Sequence, residues 1–412
     1  MKFPFPYRPV ALLAVFLFLI LPVVADAQSA DTPSVDPSVE IKFGESIEFS
    51  VIINSEVRAV RAALFLRSSS AAQFEVFLVG IEPGEPNKAA KRFTPQAINL
   101  RPFEQFEYYW QVDFTNGSVL THEPVRMTYH DDRFPWQELS RETLTIRWVE
   151  GDVDWAQEIY ALIADVLPEI QNQLATSLAG PINLYIYPGQ SDLQNSLRLA
   201  GVNQASAHAL PELGVILVAG EKGPETLIRF EQDIPHELVH LVLYGRMGAN
   251  VANLPIWLNE GLATRFEQAP RQIYSLALEQ AASQDTLLKM EALCSNFPIA
   301  ETDRVLAYAQ SASFIDYLYD VYGSGGIVQL LDAYQEGTSC TGGIQRVYQR
   351  SLDQLEAEWT RVEFGNRLSA RQMRVGLYAV LGVIFISLLL ITTLILRRQR
   401  KHRPSDDTRK EL

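Results

Sequence analysis

Hydrophobic and polar positions change rhythm several times along the chain. After Lys2 and Arg8, an apolar run extends from Val10 to Val24 and closes on Ala25-Asp26-Ala27, a small-x-small pattern. A charged start, a short apolar centre and a small-residue end predict a secretory signal peptide over residues 1–27, cut near Ala27. Residues 28–38 are rich in Ser, Asp, Pro and Ala and predict a short flexible linker. From about residue 39 to 149 the period is two. Ile47-Glu48-Phe49-Ser50-Val51 alternates, Phe74 to Val79 does so more loosely, and Phe106 to Phe114 does so at length before Asn116-Gly117, a hairpin signal. Thr143 to Trp148 ends the series. From about 150 the period lengthens. Trp155, Ile159, Leu162, Ile163, Val166 and Ile170 recur at helical spacing. Two strands follow, Ile182 to Tyr187 and Val215 to Ala219, then helices around 226–245, around 255–268, and through 270–365. Finally, Gly376 to Leu396 runs 21 residues without a charge.

These rhythms predict a multidomain architecture. Short alternating strands over 39–149 fit an all-β sandwich of immunoglobulin or fibronectin type. Residues 150–365 read as an α+β domain, a small sheet followed mostly by helices. The apolar run 376–396 spans about 30 Å as a helix, which matches the hydrocarbon core of a bilayer. Arg397, Arg398, Arg400, Lys401 and Arg403 follow at once and predict a cytoplasmic tail over 397–412. With the signal peptide, this gives a single pass in the cell membrane, N-terminus outside and the folded body extracytoplasmic.

Composition sharpens the picture. The 412 residues are 47% hydrophobic and 20% charged, too apolar for a disordered chain. The tail carries seven Lys/Arg against three Asp/Glu, so the net −14 of the whole is −18 elsewhere offset by +4. An acidic body argues against nucleic acid as a partner. Two cysteines, Cys294 and Cys340, are too few for an all-cysteine zinc site, and an exported location favours a disulfide between them. His122 and His130 read as surface or turn histidines.

The chemistry concentrates at His236-Glu237-Leu238-Val239-His240. On a helix, positions i and i+4 share a face, so both imidazoles can reach one Zn²⁺ while Glu237 accepts a proton from water. Leu238, Val239, Leu241, Val242 and Leu243 mark the segment as core, where ionisable groups need partners. Catalytic zinc usually takes three protein ligands, and Pro255-Ile256-Trp257-Leu258-Asn259-Glu260-Gly261 offers Glu260 as the third. Nineteen residues separate His240 from Glu260, enough for one helix to end near 245–248 and a second to return. Asn259 and Thr264 flank Glu260 as candidate supports. Pro235 implies a kink, or a helix beginning just upstream with Asp233 as its cap.

His236–His240 together with Trp257-Leu258-Asn259-Glu260-Gly261 resembles the gluzincin metallopeptidases. More narrowly, 150–365 is similar to the peptidase MA-like domain of bacterial envelope proteins, as are Tyr308-Ala309-Gln310-Ser311-Ala312-Ser313-Phe314 and Tyr322-Gly323 downstream. The resemblance implies His236, His240 and Glu260 as zinc ligands, Glu237 as general base, and a peptide or protein substrate. The Trp-Leu-Asn-Glu-Gly string also occurs in the aminopeptidase branch, but the Gly-x-Met-Glu-Asn-type segment of that branch has no counterpart here. An aminopeptidase is therefore disfavoured. Tyr308 is the expected donor to the developing oxyanion, with Tyr317, Tyr319 and His208 as rivals. Val215–Ala219 is expected to pair with extended substrate as an edge strand. Two other readings are a surface binding or adhesion protein with a non-hydrolytic peptidase-like domain, and a structural zinc domain; the intact Glu237 and an open three-ligand set argue against them.

Overall fold

A computed structural model describes residues 33–401 apart from Glu85, Ala179, Asn203, Gln204, Pro270 and Arg271. The expected signal peptide and the end of the basic tail, 402–412, lie outside the described residues. The chain divides into two compact units. The first holds residues 33–41, Ser46–Phe93 and Phe106–Met127; the second holds Lys42–Glu45, Thr94–Gln105 and everything described from Thr128 onward.

The first unit is a β-sandwich. Its strands are β1 (Ser34–Lys42), β2 (Ser46–Asn54), β3 (Ala59–Ser68), β4 (Glu75–Val79), β5 (Ile81–Glu82), β6 (Asn87–Phe93), β7 (Gln105–Phe114), β8 (Val119–Thr121) and β9 (Val125–Thr128). One sheet has the order β1-β2-β6-β5 and the other β4-β3-β7-β8, with β9 also on β7. The alternation in β2 and β7 buries one face of each, and the rings of Phe49 and Phe106 meet edge-on at 5.8 Å between the sheets. Residues from Ser34 onward, expected within the linker, already belong to β1.

The second unit is α+β. Its elements are β10 (Gln137–Arg141), β11 (Leu144–Trp148), α1 (Val153–Gln173), β12 (Ile182–Tyr187), α2 (Gln190–Leu199), β13 (Ala207–Leu210), β14 (Val215–Ala219), α3 (Pro224–Met247), α4 (Ile256–Arg265), α5 (Gln272–Gln284), α6 (Glu301–Gln335), α7 (Cys340–Tyr348) and α8 (Leu352–Lys401). The sheet order is β10-β11-β12-β14-β13. β11, β12 and β14 run parallel, and β13 is antiparallel to β14. Two expectations are corrected here. Thr143–Trp148 was expected to close the sandwich, yet as β11 it pairs with β12. A period of two shows that one face is buried, not against which sheet. Val215–Ala219 was expected at an edge, but β14 lies between β12 and β13 with every residue buried, so β13 holds the edge.

Helix α1 starts where Asp152 accepts the Trp155 N–H at 3.1 Å. Its buried stripe of Trp155, Ile159, Ile163, Val166 and Ile170 joins the core beneath the sheet and α3. Helix α3 begins at Pro224, a residue type suited to a first turn, and runs through Pro235. Asp233 is therefore a buried interior residue and not a cap. Helix α4 packs closely on α6: a Cβ on Gly261 would sit 2.8 Å from the Ser311 carbonyl oxygen, so only glycine lets the two backbones approach this far. Helix α6 is interrupted at Gly323, which adopts φ +70°. The start of α8 is anchored by buried Leu352, Leu355, Trp359 and Phe364. The same helix carries the stretch Val380–Arg397, which among the described residues is the one segment long and apolar enough to cross a membrane.

Candidate metal centre and peptidase site

One face of α3 supplies His236 and His240, whose rings meet edge-on with centroids 5.1 Å apart. Helix α3 ends at Met247, the 3₁₀ segment Gly248–Asn253 turns the chain, and α4 returns to place Glu260 opposite. A Glu260 oxygen lies 3.4 Å from His236 Nε2 and 3.9 Å from His240 Nε2. One ligand atom from each of the three residues falls within 4.8 Å of the others. Ligands on a tetrahedral zinc with bonds of 2.0–2.1 Å stand about 3.3 Å apart. The donor set of two imidazoles and one carboxylate fits zinc chemically as well.

The opposite ring nitrogens are held by acceptors. His240 Nδ1 lies 3.3 Å from Asn259 Oδ1, and the Asn259 amide nitrogen donates to Glu260 Oε1 at 3.3 Å. His236 Nδ1 lies 3.1 Å from Glu267 Oε1. With a carboxylate or amide oxygen at each Nδ1, the Nδ1 proton is held there in a neutral ring, and Nε2 on the Glu260 side is the atom left to bind a cation. Asn259 therefore stands where expected, whereas Thr264 does not: its buried hydroxyl has no hydrogen-bond partner. The support on His236 is Glu267, which sequence reasoning missed. Helix α4 stops at Arg265, so no helical spacing from Glu260 points to it.

The electrostatics of the cluster resemble those of an internal ion pair. Burial disfavours a charged His236, but the carboxylates of Glu260 and Glu267 outweigh it and raise its pKa to about 10. Burial likewise opposes the Glu260 carboxylate, and the imidazoles of His240 and His236 outweigh that, holding it at about 2. A cation in the cluster would take the place of the imidazolium proton.

Glu237 is buried beside the ligands, and its Oε2 accepts the Ala209 N–H of β13 at 2.7 Å. Tyr308 on α6 lies with its ring 6.2 Å from that of His236 and packs edge-on against Phe297 at 5.0 Å. Burial, reinforced by the charge on Glu260, raises the Tyr308 phenol above its ordinary value, so it stays a donor. His208 on β13 precedes the Ala209 whose N–H bonds Glu237, and burial lowers its pKa. The other two rivals point elsewhere. Tyr317 donates to Glu358 at 3.1 Å, and Tyr319 lies under the Arg265 guanidinium at 4.1 Å.

Residues 163–364 match the family model described as the Peptidase MA superfamily. The chain carries a peptidase MA superfamily domain. The matched span contains His236, Glu237, His240, Glu260 and Tyr308. No curated protein matches the chain. Among solved structures, an aminopeptidase N family protein from Idiomarina loihiensis is 8% identical with a TM-score of 0.35, over 77% of this chain and 73% of that one. A myokine structure is 13% identical with a TM-score of 0.18, over 22% of this chain and 89% of that one. OgpA from Akkermansia muciniphila is 14% identical with a TM-score of 0.20, and the overlap covers 25% of this chain and 30% of that one. At TM-scores this low these likenesses assign nothing, and the superfamily match alone assigns the domain.

Proposed function

We propose that the protein is a membrane-anchored zinc metallopeptidase with an extracytoplasmic catalytic domain that hydrolyses peptide bonds in a peptide or protein substrate. The convergence of His236, His240 and Glu260, with Glu237 beside them in a peptidase MA superfamily domain, carries the reading. His236, His240 and Glu260 would hold the zinc. When bound, the metal supplies Lewis acidity toward the scissile carbonyl and toward water. Glu237, with one carboxylate oxygen occupied by Ala209, uses the other to take the proton from the attacking water and returns it to the leaving amine. Asn259 and Glu267 fix the two imidazole orientations.

The edge strand β13 suits an extended substrate. The Ala209 N–H points at Glu237, away from β14, and in an antiparallel strand the carbonyl of the same residue points the same way. The Ala209 carbonyl is thereby free to accept a hydrogen bond from a substrate laid along the edge. Helix α8 leaves the domain at buried Phe364 and continues into the apolar stretch Val380–Arg397, which supports a tether close to the bilayer.

Metal analysis of the purified full chain is expected to find about one zinc per chain, and peptide hydrolysis is expected to stop on chelation and return with added zinc. Hydrolysis that survives complete metal removal would overturn the proposal. Tyr308→Phe is expected to lower kcat about 100-fold with KM little changed, the signature of a donor that acts on the developing oxyanion. An unchanged kcat would remove Tyr308 from the mechanism and leave His208 in that role.

A further inference from the structure

We propose that Pro235 is a positioning residue for His236, acting through a backbone clasp that holds the Glu267 carboxylate on the His236 ring. Pro235 sits in the interior of α3, where a proline removes a hydrogen bond from the helix. The carbonyl left without its helical partner is that of Glu231, four residues earlier. That carbonyl accepts the N–H of Gln268 at 2.8 Å. Gln268 lies three residues beyond the end of α4, so this bond ties the returning chain across α3 one turn before His236. Glu267 is its immediate neighbour, with a side chain 4% exposed and its Oε1 3.1 Å from His236 Nδ1. The rest of the segment is pinned as well: Phe266 is buried, and the Glu267 N–H reaches the Thr264 carbonyl at 3.3 Å.

The missing N–H of Pro235 therefore does something specific. An ordinary residue at 235 would donate to Glu231 within the helix and compete directly with Gln268 for the same carbonyl. Losing the Gln268 bond would loosen the segment 266–268 and, with it, the carboxylate that fixes the His236 ring. A proline that merely shaped the helix would differ at Gln268 and at the His236 ring, not in stability. Its replacement by alanine would restore a helical hydrogen bond, raise stability, and leave the His236 environment untouched.

The zinc arm of the test rests on the proposed function; the backbone arm does not. Full-chain wild type, Pro235→Ala, Glu267→Ala and the double variant are compared in detergent. In the metal-free proteins, amide hydrogen exchange at Gln268 is expected to be slow in wild type and at least about 10-fold faster in Pro235→Ala, with the melting temperature unchanged or higher. Zinc affinity, read by competition with a chelator, is expected to fall about 10-fold in either single variant and no further in the double variant than in Glu267→Ala. Equal Gln268 protection in wild type and Pro235→Ala would overturn the clasp. Additive losses of zinc affinity in the double variant would overturn the route through Glu267. A wild type that binds no zinc would overturn the functional reading instead, with the exchange measurement still deciding the clasp.

Discussion

Glu237→Gln is expected to slow peptide hydrolysis about 10²–10⁴-fold while zinc stays bound. The substitution preserves size and keeps a carbonyl oxygen for the Ala209 N–H, which now bonds the carboxylate at 2.7 Å. It leaves the atoms of His236, His240 and Glu260 untouched. What it removes is basicity: an amide cannot take the proton of the attacking water or return it to the departing amine. General base catalysis of this kind contributes about 10²–10⁴ in rate, so kcat should fall by that factor. Zinc content should remain at the wild-type ratio, because Glu237 is not among the three groups that converge. Peptide cleavage by mass spectrometry and metal content by elemental analysis read the two halves separately. Full activity would sink the mechanism, whereas loss of zinc alongside activity would reassign Glu237 to holding the cluster together.

The parts of this site that could be read in the sequence are those fixed by local geometry. His236 and His240 share a face because any helix brings i and i+4 together, and the apolar residues around them mark that helix as buried. Glu260 was legible because a short run of residues can turn one helix back on another. Asn259 was legible only as a neighbour of Glu260, and its bridging of Glu260 and His240 emerges from packing. Glu267 was not legible, since it stands past the end of a helix and is delivered by a backbone bond to Glu231 on another element. Strand pairing was also hidden. Val215–Ala219 and Ala207–Leu210 are both short and apolar, and nothing in either indicates which one lies at the edge. The same limit misplaced β11, whose alternation would serve a sandwich and a mixed sheet equally well. Sequence period reports burial, whereas the identity of the partner strand is a long-range property. His208 illustrates the consequence. It was one of three rivals to Tyr308 by sequence, and its place on the edge strand β13, next to the Ala209 that bonds Glu237, could not be read from the chain.

Opening the Cys294–Cys340 disulfide is expected to cost about 4 kcal/mol of stability, on the chain-entropy estimate for a loop of 46 residues. The bond joins the 3₁₀ turn Ala292–Cys294 to the first residue of α7, two places between which the chain makes the whole of α6. Both of its ends lead toward the site. Trp257, in the first turn of α4, donates its indole N–H to the Cys340 sulfur at 3.3 Å, and Glu260 lies three residues further along the same helix. Phe297, three residues past Cys294, packs on Tyr308. Replacing both cysteines with serine should therefore lower the denaturant midpoint of the metal-free protein and also reduce turnover under conditions where the variant remains folded. Because the bond requires both partners, either single replacement should reproduce most of the stability loss of the double one, and reductant should shift the wild type to the same midpoint while leaving the double variant unmoved. A wild-type midpoint that does not respond to full reduction would show that the loops around Trp257 and Phe297 are held by packing alone, and the loss of turnover would then have to vanish with it.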